Sequence, residues 1–119
     1  MLTKTTKKYL LRFRAVNRDT FEAIRDGSKK VETRAASVKY QNIKAGDIIV
    51  FSCGKDRFQK IVKSSLTFKT IAALLRKYKF KDIEPKAVTA QELYDAYYSY
   101  TGYREKIKKF GLIALEFNK

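Results

Sequence analysis

The sequence predicts an α+β fold, because segments with the two-residue period of strands alternate with segments that have the helical period. The chain has 119 residues, of which 45% are hydrophobic and 13% aromatic. This composition supports one packed core and argues against global disorder. Neither repeats nor low-complexity linkers divide the chain. We therefore expect a basic tail at residues 1–7 and a single domain at residues 8–119.

The first two strands are predicted on either side of a short helix. Residues 9–15 alternate apolar and basic side chains, as in a strand with one buried face. Asp19, followed three residues later by Glu22, is typical of a helix start. Phe21 and Ile24 give this helix its apolar side. Gly27 stands where a left-handed C-terminal cap is expected. The charged segment after this glycine then continues as the second strand.

Two further strands are predicted in the middle of the chain. Residues 44–47 have the composition of a turn, and the continuous apolar run at residues 48–51 predicts a strand that is buried on both faces. A hairpin turn at residues 54–57 leads into a strand at residues 58–66. We expect the apolar run to lie at the centre of the sheet.

The second half of the sequence predicts helices and one last strand. Residues 71–78 carry apolar side chains at helical spacing. Thr89 and Glu92 form a capping box that begins another helix. A short basic turn is expected up to Lys109, and the apolar residues 112–117 predict the last strand.

Charge is the most unusual property of the composition. Twenty-seven Lys and Arg against 12 Asp and Glu give a formal net charge of +15, which attracts polyanions and raises their encounter rate. Nucleic acid is therefore the expected class of partner. The alternative is that a lysine-rich proteome or a solubility requirement produced the same surface.

Residue counts exclude several chemistries. The chain has no His and a single Cys, Cys53, so His/Cys zinc sites, Ser-His-Asp triads and Cys-His dyads cannot be built. We expect no metal and no cofactor, and we expect Cys53 to be a small buried hydrophobe. No apolar run approaches the roughly 18 residues of a membrane helix, and the cysteine usage fits a reducing compartment. A cytoplasmic protein that does not bind membranes is the expectation.

Charges meet at the predicted junction of helix and strand in the segment GSKKVETR, residues 27–34. Lys29 offers an ammonium for a phosphate, and Arg34 offers a planar fork for a phosphate, a base edge or a carboxylate. Glu32 repels phosphate unless a cation neutralises it or a base amino group donates to it. Two interpretations are open: the cluster lines a nucleotide-binding cleft, or a Glu32–Arg34 pair only braces the strand.

The spacing G-x-K-x-x-E-x-R in this segment resembles the signature of the ASCH domain. The order of other features is similar too, with Gly46-Asp47 before an apolar strand, a tyrosine-rich helix and a late glycine before residues 114–116, so the resemblance extends over residues 8–118. It implies a PUA-like mixed β-barrel of about five to six strands with three or four flanking helices. We expect the last strand to close the barrel, which would hide its edges. The resemblance also implies a cleft between barrel and helices that holds the motif residues and binds RNA.

Five tyrosines crowd residues 94–103, which is more than one helix face can bury. Leu93, Tyr94 and Tyr97 have the spacing of core residues, whereas Tyr98 and Tyr100 are candidates for stacking on bases. Basic runs in the same half of the chain supply phosphate contacts or a solvated face. The candidate nucleic-acid-binding residues are Lys29, Glu32, Arg34, Arg12, Arg14, Tyr98 and Tyr100.

Two other functions remain open. Some ASCH relatives are amidohydrolases that act on acetylated cytidine through a nucleophilic Thr in the motif with a Lys before it, and others have been described as ribonucleases. In this chain Lys29 is kept but Glu32 fills the place of that Thr, and Thr33 is expected on the opposite face of the strand. With Glu84 as a loose match to the acidic partner, the catalytic candidates for hydrolysis of RNA or of a modified nucleoside are Lys29, Glu32 and Glu84. A protein-interaction module of the coactivator type is the second alternative, and DNA is an alternative polymer because phosphate contacts do not read the sugar.

Overall fold

A five-stranded mixed sheet is the framework of the molecule. The computed structural model describes residues 6–118, and its strands are β1 (Lys8–Phe13), β2 (Val31–Ala35), β3 (Ile48–Cys53), β4 (Asp56–Phe68) and β5 (Leu112–Phe117). They lie in the order β1-β3-β4-β5-β2. β1 and β3 are parallel, and the other neighbouring pairs are antiparallel.

Strand β4 curls this sheet into a half-barrel. Its residues 56–61 pair with β3, and its remainder pairs with β5. The register shifts between Val62 and Ser64, and an irregularity of this kind bends a strand. The last strand does not close a barrel, contrary to the expectation, because β5 lies between β4 and β2 and is an inner strand. Within residues 6–118, β1 and β2 are the two edges.

Helices cover the sheet on both sides. After one 3-10 turn at Ala15–Asn17, the helices are α1 (Arg18–Asp26), α2 (Ile71–Lys77), α3 (Phe80–Ile83), α4 (Ala90–Ser99) and α5 (Tyr103–Phe110). The α+β class is thus confirmed, with five α-helices in the described part of the chain where three or four were expected. The basic turn expected up to Lys109 is helix α5, because Ile107 gives this segment a buried side.

The local signals at the ends of two helices are confirmed. Gly27 ends α1 in the left-handed region, with φ at 88°, a conformation that glycine adopts at little cost. The hydroxyl of Thr89 accepts from the N–H of Glu92, and the Glu92 carboxylate accepts from the N–H of Thr89, so the capping box begins α4.

Two hydrophobic clusters hold the layers together. The first joins α1 to the sheet through residues such as Phe21, Leu11 and Phe51, and it includes Cys53, which is buried as expected. The second packs the later helices against the other side of the sheet; its fully buried members include Leu74 and Leu112. Burying one Leu or Phe side chain contributes about 1.5–3 kcal/mol. Val31 of β2 belongs to the second cluster, which therefore holds this strand against the later helices.

The chain before β1 is only partly described. Residues 1–5, most of the expected basic tail, lie outside the described residues. The carbonyl of Lys7 accepts from the N–H of Ile48 at 2.9 Å, and its own N–H donates to Asp47 Oδ1 at 3.2 Å. The β1–β3 ladder therefore already begins at Lys7. None of the helices in residues 6–118 has the length and apolar character needed to cross a membrane.

Candidate nucleic-acid interface

A cavity of about 480 Å³ lies along the open edge of β2, where the sheet faces α4 and α5. The end of β1 and the end of α3 complete its walls. Its volume is within the range of roughly 300–1,000 Å³ that is typical of small-ligand clefts. The charged residues that line it are Arg12, Arg14, Lys29, Glu32, Arg34, Glu84 and Lys106.

This cavity brings together most of the residues that the sequence singled out. All of the nucleic-acid candidates except Tyr98 line it, and so does Glu84. Tyr100 lines it and is 55% exposed. Tyr98 is 38% exposed elsewhere on the surface, and the guanidinium of Arg104 lies 4.0 Å from the centroid of its ring. One of the two stacking candidates therefore belongs to the cavity and the other does not.

Glu32 is a buried carboxylate held between two cations. Its side chain is 7% exposed, with Oε1 3.5 Å from Lys29 Nζ and Oε2 accepting from Arg34 Nη2 at 3.4 Å. A buried carboxylate is tolerated when cations and hydrogen bonds compensate it in this way. The Glu32–Arg34 pair considered from the sequence thus exists, and it forms part of the cavity wall.

Side chains of the same motif cap the open edge of β2. In an antiparallel ladder every second residue turns its backbone groups away from the partner strand. The outward carbonyl of Val31 accepts from Lys29 Nζ at 2.9 Å, and the outward N–H of Thr33 donates to Glu32 Oε1 at 3.0 Å. Lys29 Nζ also donates to the carbonyl of Ile83. Lys29 is therefore 6% exposed, and its ammonium faces three protein acceptors.

Arg34 is held by stacking as well as by charge. Its guanidinium lies 5.4 Å from the ring centroid of Phe13 and 5.8 Å from that of Tyr40, within the range of cation–π attraction. Burial lowers the pKa of Arg34, but the Glu32 carboxylate, Tyr40 and Tyr103 together more than offset this effect, so that the pKa lies above its ordinary value. The guanidinium is a permanent, positioned hydrogen-bond donor in the wall.

Two tyrosines and a threonine in the wall were not among the candidates. Thr33 Oγ1 and the hydroxyl of Tyr97 form a hydrogen bond, and the hydroxyl of Tyr103 accepts from the N–H of Ala35 at 2.7 Å. Burial raises the pKa of both tyrosine hydroxyls. Both rings therefore remain neutral phenols at physiological pH. They offer the cavity apolar area and weak polar contacts rather than charge.

Thr33 reaches the cavity although consecutive strand residues point to opposite faces of a sheet. Its hydroxyl meets Tyr97 on the side of the later helices, whereas Arg34 lies over Phe13 on the side of α1. Because the cavity runs along the edge of β2, side chains from both faces contribute to its wall. The expected alternation is correct, and Thr33 nevertheless lines the cavity.

Charge is unevenly distributed within the cavity. Five cations and two carboxylates line it. Arg12, Arg14 and Lys106 are exposed, whereas the carboxylate of Glu32 is buried. Positive charge therefore dominates the open side, and a neutralised anion occupies the deep side.

A second depression lies on the other side of Lys29. It has a volume of about 750 Å³, and its basic residues besides Lys29 are Arg25, Lys30, Lys60 and Lys63. Asp26 and Glu116 also line it, and Glu116 lies 3.5 Å from the ammonium of Lys63. Its described lining contains no tyrosine, and its aromatic residue, Phe117, packs edge to face against the buried ring of Phe51. This depression therefore offers phosphate contacts with less stacking surface than the cavity.

The hydrolytic candidates are placed together but engaged by other groups. Lys29, Glu32 and Glu84 all line the cavity. The Thr33 hydroxyl, which would have to act as the nucleophile, is hydrogen-bonded to the phenol of Tyr97. This phenol keeps its proton because its pKa is raised, so it is a poor base for activating Thr33. In the part of the chain that the structure describes, no group of three or more His, Cys, Asp or Glu side chains is placed to hold a metal. The absence of a metal and of a cofactor remains a prediction.

Comparison with known proteins identifies the family. A solved structure of the hypothetical protein PH0355 is 28% identical, covers 93% of this chain and 97% of its own, and superposes with a TM-score of 0.80. Protein PF0455 from Pyrococcus furiosus is 26% identical over 93% of this chain and 96% of its own, with a TM-score of 0.73. Curated proteins give no significant match. The model of the ASCH domain matches residues 15–119, so this chain belongs to the ASCH domain family.

Proposed function

We propose that this ASCH domain binds single-stranded RNA, with one nucleotide in the cavity along β2. The observation that carries the proposal is the combination, in one cavity, of exposed cations, an exposed tyrosine and a buried carboxylate that two cations neutralise. Each part suits one part of a nucleotide. The family, whose general expectation is RNA binding, supports RNA as the polymer.

Phosphates are assigned to the exposed cations. Arg12, Arg14 and Lys106 can reach solvent and line the cavity, and flexible basic side chains in such positions bind phosphate with a strong dependence on salt. The net charge of +15 adds long-range attraction for any polyanion. Lys29 is a poor phosphate ligand in this arrangement because its ammonium already faces three acceptors.

Stacking is assigned to Tyr100. Its ring is more than half exposed at the cavity and contacts the ring of Tyr103 edge to face, with centroids 5.6 Å apart. A supported, exposed ring is a platform for a base, and such stacking is worth about 1–3 kcal/mol per base. Tyr98 and Arg104 form a separate surface that lies outside the cavity.

The test is a titration of labelled single-stranded and duplex RNA and DNA across a salt series. Arg12→Ala/Arg14→Ala removes two cations from the cavity, and Arg76→Ala/Lys77→Ala removes two exposed cations of α2 as a charge-matched control. The first variant is expected to weaken single-strand binding at least tenfold and to flatten the salt slope by up to about 1.4. Equal losses in the two variants would assign binding to the overall charge and refute the cavity as the site.

Hydrolysis of a modified nucleoside is a second candidate function. It is favoured by one observation, that Lys29, Thr33 and Glu84 line the same cavity, since these are the residue types of the related amidohydrolases. The pairing of Thr33 with Tyr97 weighs against it. Incubation with acetylated cytidine and with RNA, followed by product analysis, decides between binding and turnover.

A cytoplasmic location remains a prediction.

A further inference from the structure

We infer that the cavity reads the edge of a nucleobase that carries an exocyclic amino group, through the carboxylate of Glu32, and discriminates against uracil. This inference rests on the proposed function, because it assigns a ligand group to the same cavity. It concerns which face of the nucleotide enters.

The polarity of the cavity orients the nucleotide. Its exposed cations, Arg12, Arg14 and Lys106, stand on the open side, while the wall that contains Glu32 and Thr33 is buried. A phosphate next to Glu32 would meet a carboxylate whose cations are already engaged. A neutral base edge carries no such penalty. The base therefore points inwards and the phosphates remain on the cationic side.

Glu32 retains hydrogen-bonding capacity on one oxygen. A carboxylate accepts about four hydrogen bonds, two on each oxygen. Oε1 takes the N–H of Thr33 at 3.0 Å and lies 3.5 Å from Lys29 Nζ. Oε2 is contacted by Arg34 at 3.4 Å, which is longer than a normal hydrogen bond. Oε2 is the atom that has room for a donor from a ligand, and the guanidinium of Arg34 beside it can donate to a neighbouring acceptor.

This pair of groups fits an amino-bearing base better than uracil. Cytosine and adenine place an amino donor beside a ring nitrogen acceptor, which complements the carboxylate and the guanidinium respectively. Uracil offers one ring N–H between two carbonyl oxygens. If this N–H donates to Oε2 and one oxygen accepts from Arg34, the second oxygen lies beside the carboxylate and is repelled by it. Buried groups left without partners, or facing like charge, carry the largest costs in recognition. Glu32 is thus assigned as the specificity-determining residue.

The test compares short single-stranded RNA oligomers of cytidine with those of uridine, and of adenosine with those of purine riboside, which lacks only the amino group. Wild-type protein is expected to bind the amino-bearing member of each pair about tenfold more tightly or better. Glu32→Gln offers an amide that also donates to a carbonyl, so its preference for cytidine over uridine is expected to fall close to one. Glu105→Gln removes an exposed carboxylate of α5 that lies outside the cavity lining and should keep the wild-type preference.

The possible failures are distinguishable. If the oligomers bind and Arg12→Ala/Arg14→Ala weakens them, but wild-type protein binds both members of each pair equally, the base-reading inference is overturned and the proposed function stands. If no oligomer binds in the cavity, both fail together. The wild-type comparison does not depend on any variant, so it decides the matter even if Glu32→Gln does not fold.

Discussion

The ammonium of Lys29 lies 3.5 Å from the carboxylate of Glu32, and the two side chains are only 6% and 7% exposed. Each of them also hydrogen-bonds an outward backbone group of β2, Lys29 at the carbonyl of Val31 and Glu32 at the N–H of Thr33. The most characteristic residues of the motif therefore hold the edge of the strand that carries them. Binding capacity and structural support are provided by the same cluster.

Lys29→Met tests this support. The change keeps most of the apolar length of the side chain but leaves Glu32 with Arg34 as its one cation and removes the donor to the carbonyls of Val31 and Ile83. Loss of one partner of a buried ion pair costs about 3–5 kcal/mol, so the free energy of unfolding in urea should fall by that amount. Lys30→Met, at the exposed neighbouring position, should change it by less than about 0.5 kcal/mol. Similar values for the two variants would contradict the structural role.

Local signals in the sequence were sufficient for much of the fold. Gly27 and the Thr89–Glu92 capping box act on their own helix ends, so their effect does not depend on the rest of the chain. The apolar run at residues 48–51 likewise lies within a strand, β3, but the central strand of the sheet is β4, contrary to the expectation. Helix α5 was missed because its basic residues resemble a solvated turn, although Tyr103 and Ile107 have helical spacing.

Long-range pairing could not be predicted in the same way. The position of β5 between β4 and β2 depends on which distant strands meet, and the bulge at Val62 and Ser64 that bends β4 has no local sequence signal that we can identify. For the same reason, alternation alone does not indicate that Thr33 lines the cavity. Alternation gives the two faces of a strand, but it does not tell which strand is an edge.

The buried hydroxyl of Tyr97 makes the protein lose stability at alkaline pH. Burial raises its pKa above the ordinary value of 10.0, so the folded state holds this proton more tightly than the unfolded state does. The stability that results is fully present below about pH 10 and is lost as the pH rises towards the folded-state pKa. Between pH 9 and 11, the free energy of unfolding should fall less steeply in Tyr97→Phe than in wild type.

At neutral pH, Tyr97→Phe tests the hydrogen bond between the hydroxyls of Tyr97 and Thr33. Its loss should cost about 1 kcal/mol, the typical contribution of one hydrogen bond. Tyr98→Phe, an exposed change on the same helix, serves as the control in both measurements. A Tyr97→Phe curve parallel to those of wild type and Tyr98→Phe above pH 10 would contradict the assignment.

Gly111 is required where α5 meets β5. Its φ is 77° and its ψ is −169°, a region that only glycine adopts easily, and a Cβ added there would lie 2.5 Å from the carbonyl oxygen of Phe68. Gly111→Ala should therefore destabilise the protein by about 3 kcal/mol or more. Gly54→Ala has φ at 58° with nothing within 4 Å of the added atom, so it should cost only about 1–2 kcal/mol. Chemical denaturation of both variants checks this order, and a reversed order would contradict it.

Tyr100 and Tyr98 separate stacking inside the cavity from stacking outside it. Tyr100 lines the cavity and rests against Tyr103, whereas Tyr98 contacts Arg104 on the outer surface. Tyr100→Ala should weaken binding of a single-stranded RNA oligomer by about 1–3 kcal/mol, which is about five- to 150-fold in Kd. Tyr100→Phe keeps the ring that makes the contact, so it should bind almost as tightly as wild type. Tyr98→Ala should change Kd no more than about threefold. Fluorescence anisotropy at one fixed salt concentration measures all three. If Tyr98→Ala is the more damaging change, the bases stack on the outer face of α4 rather than in the cavity.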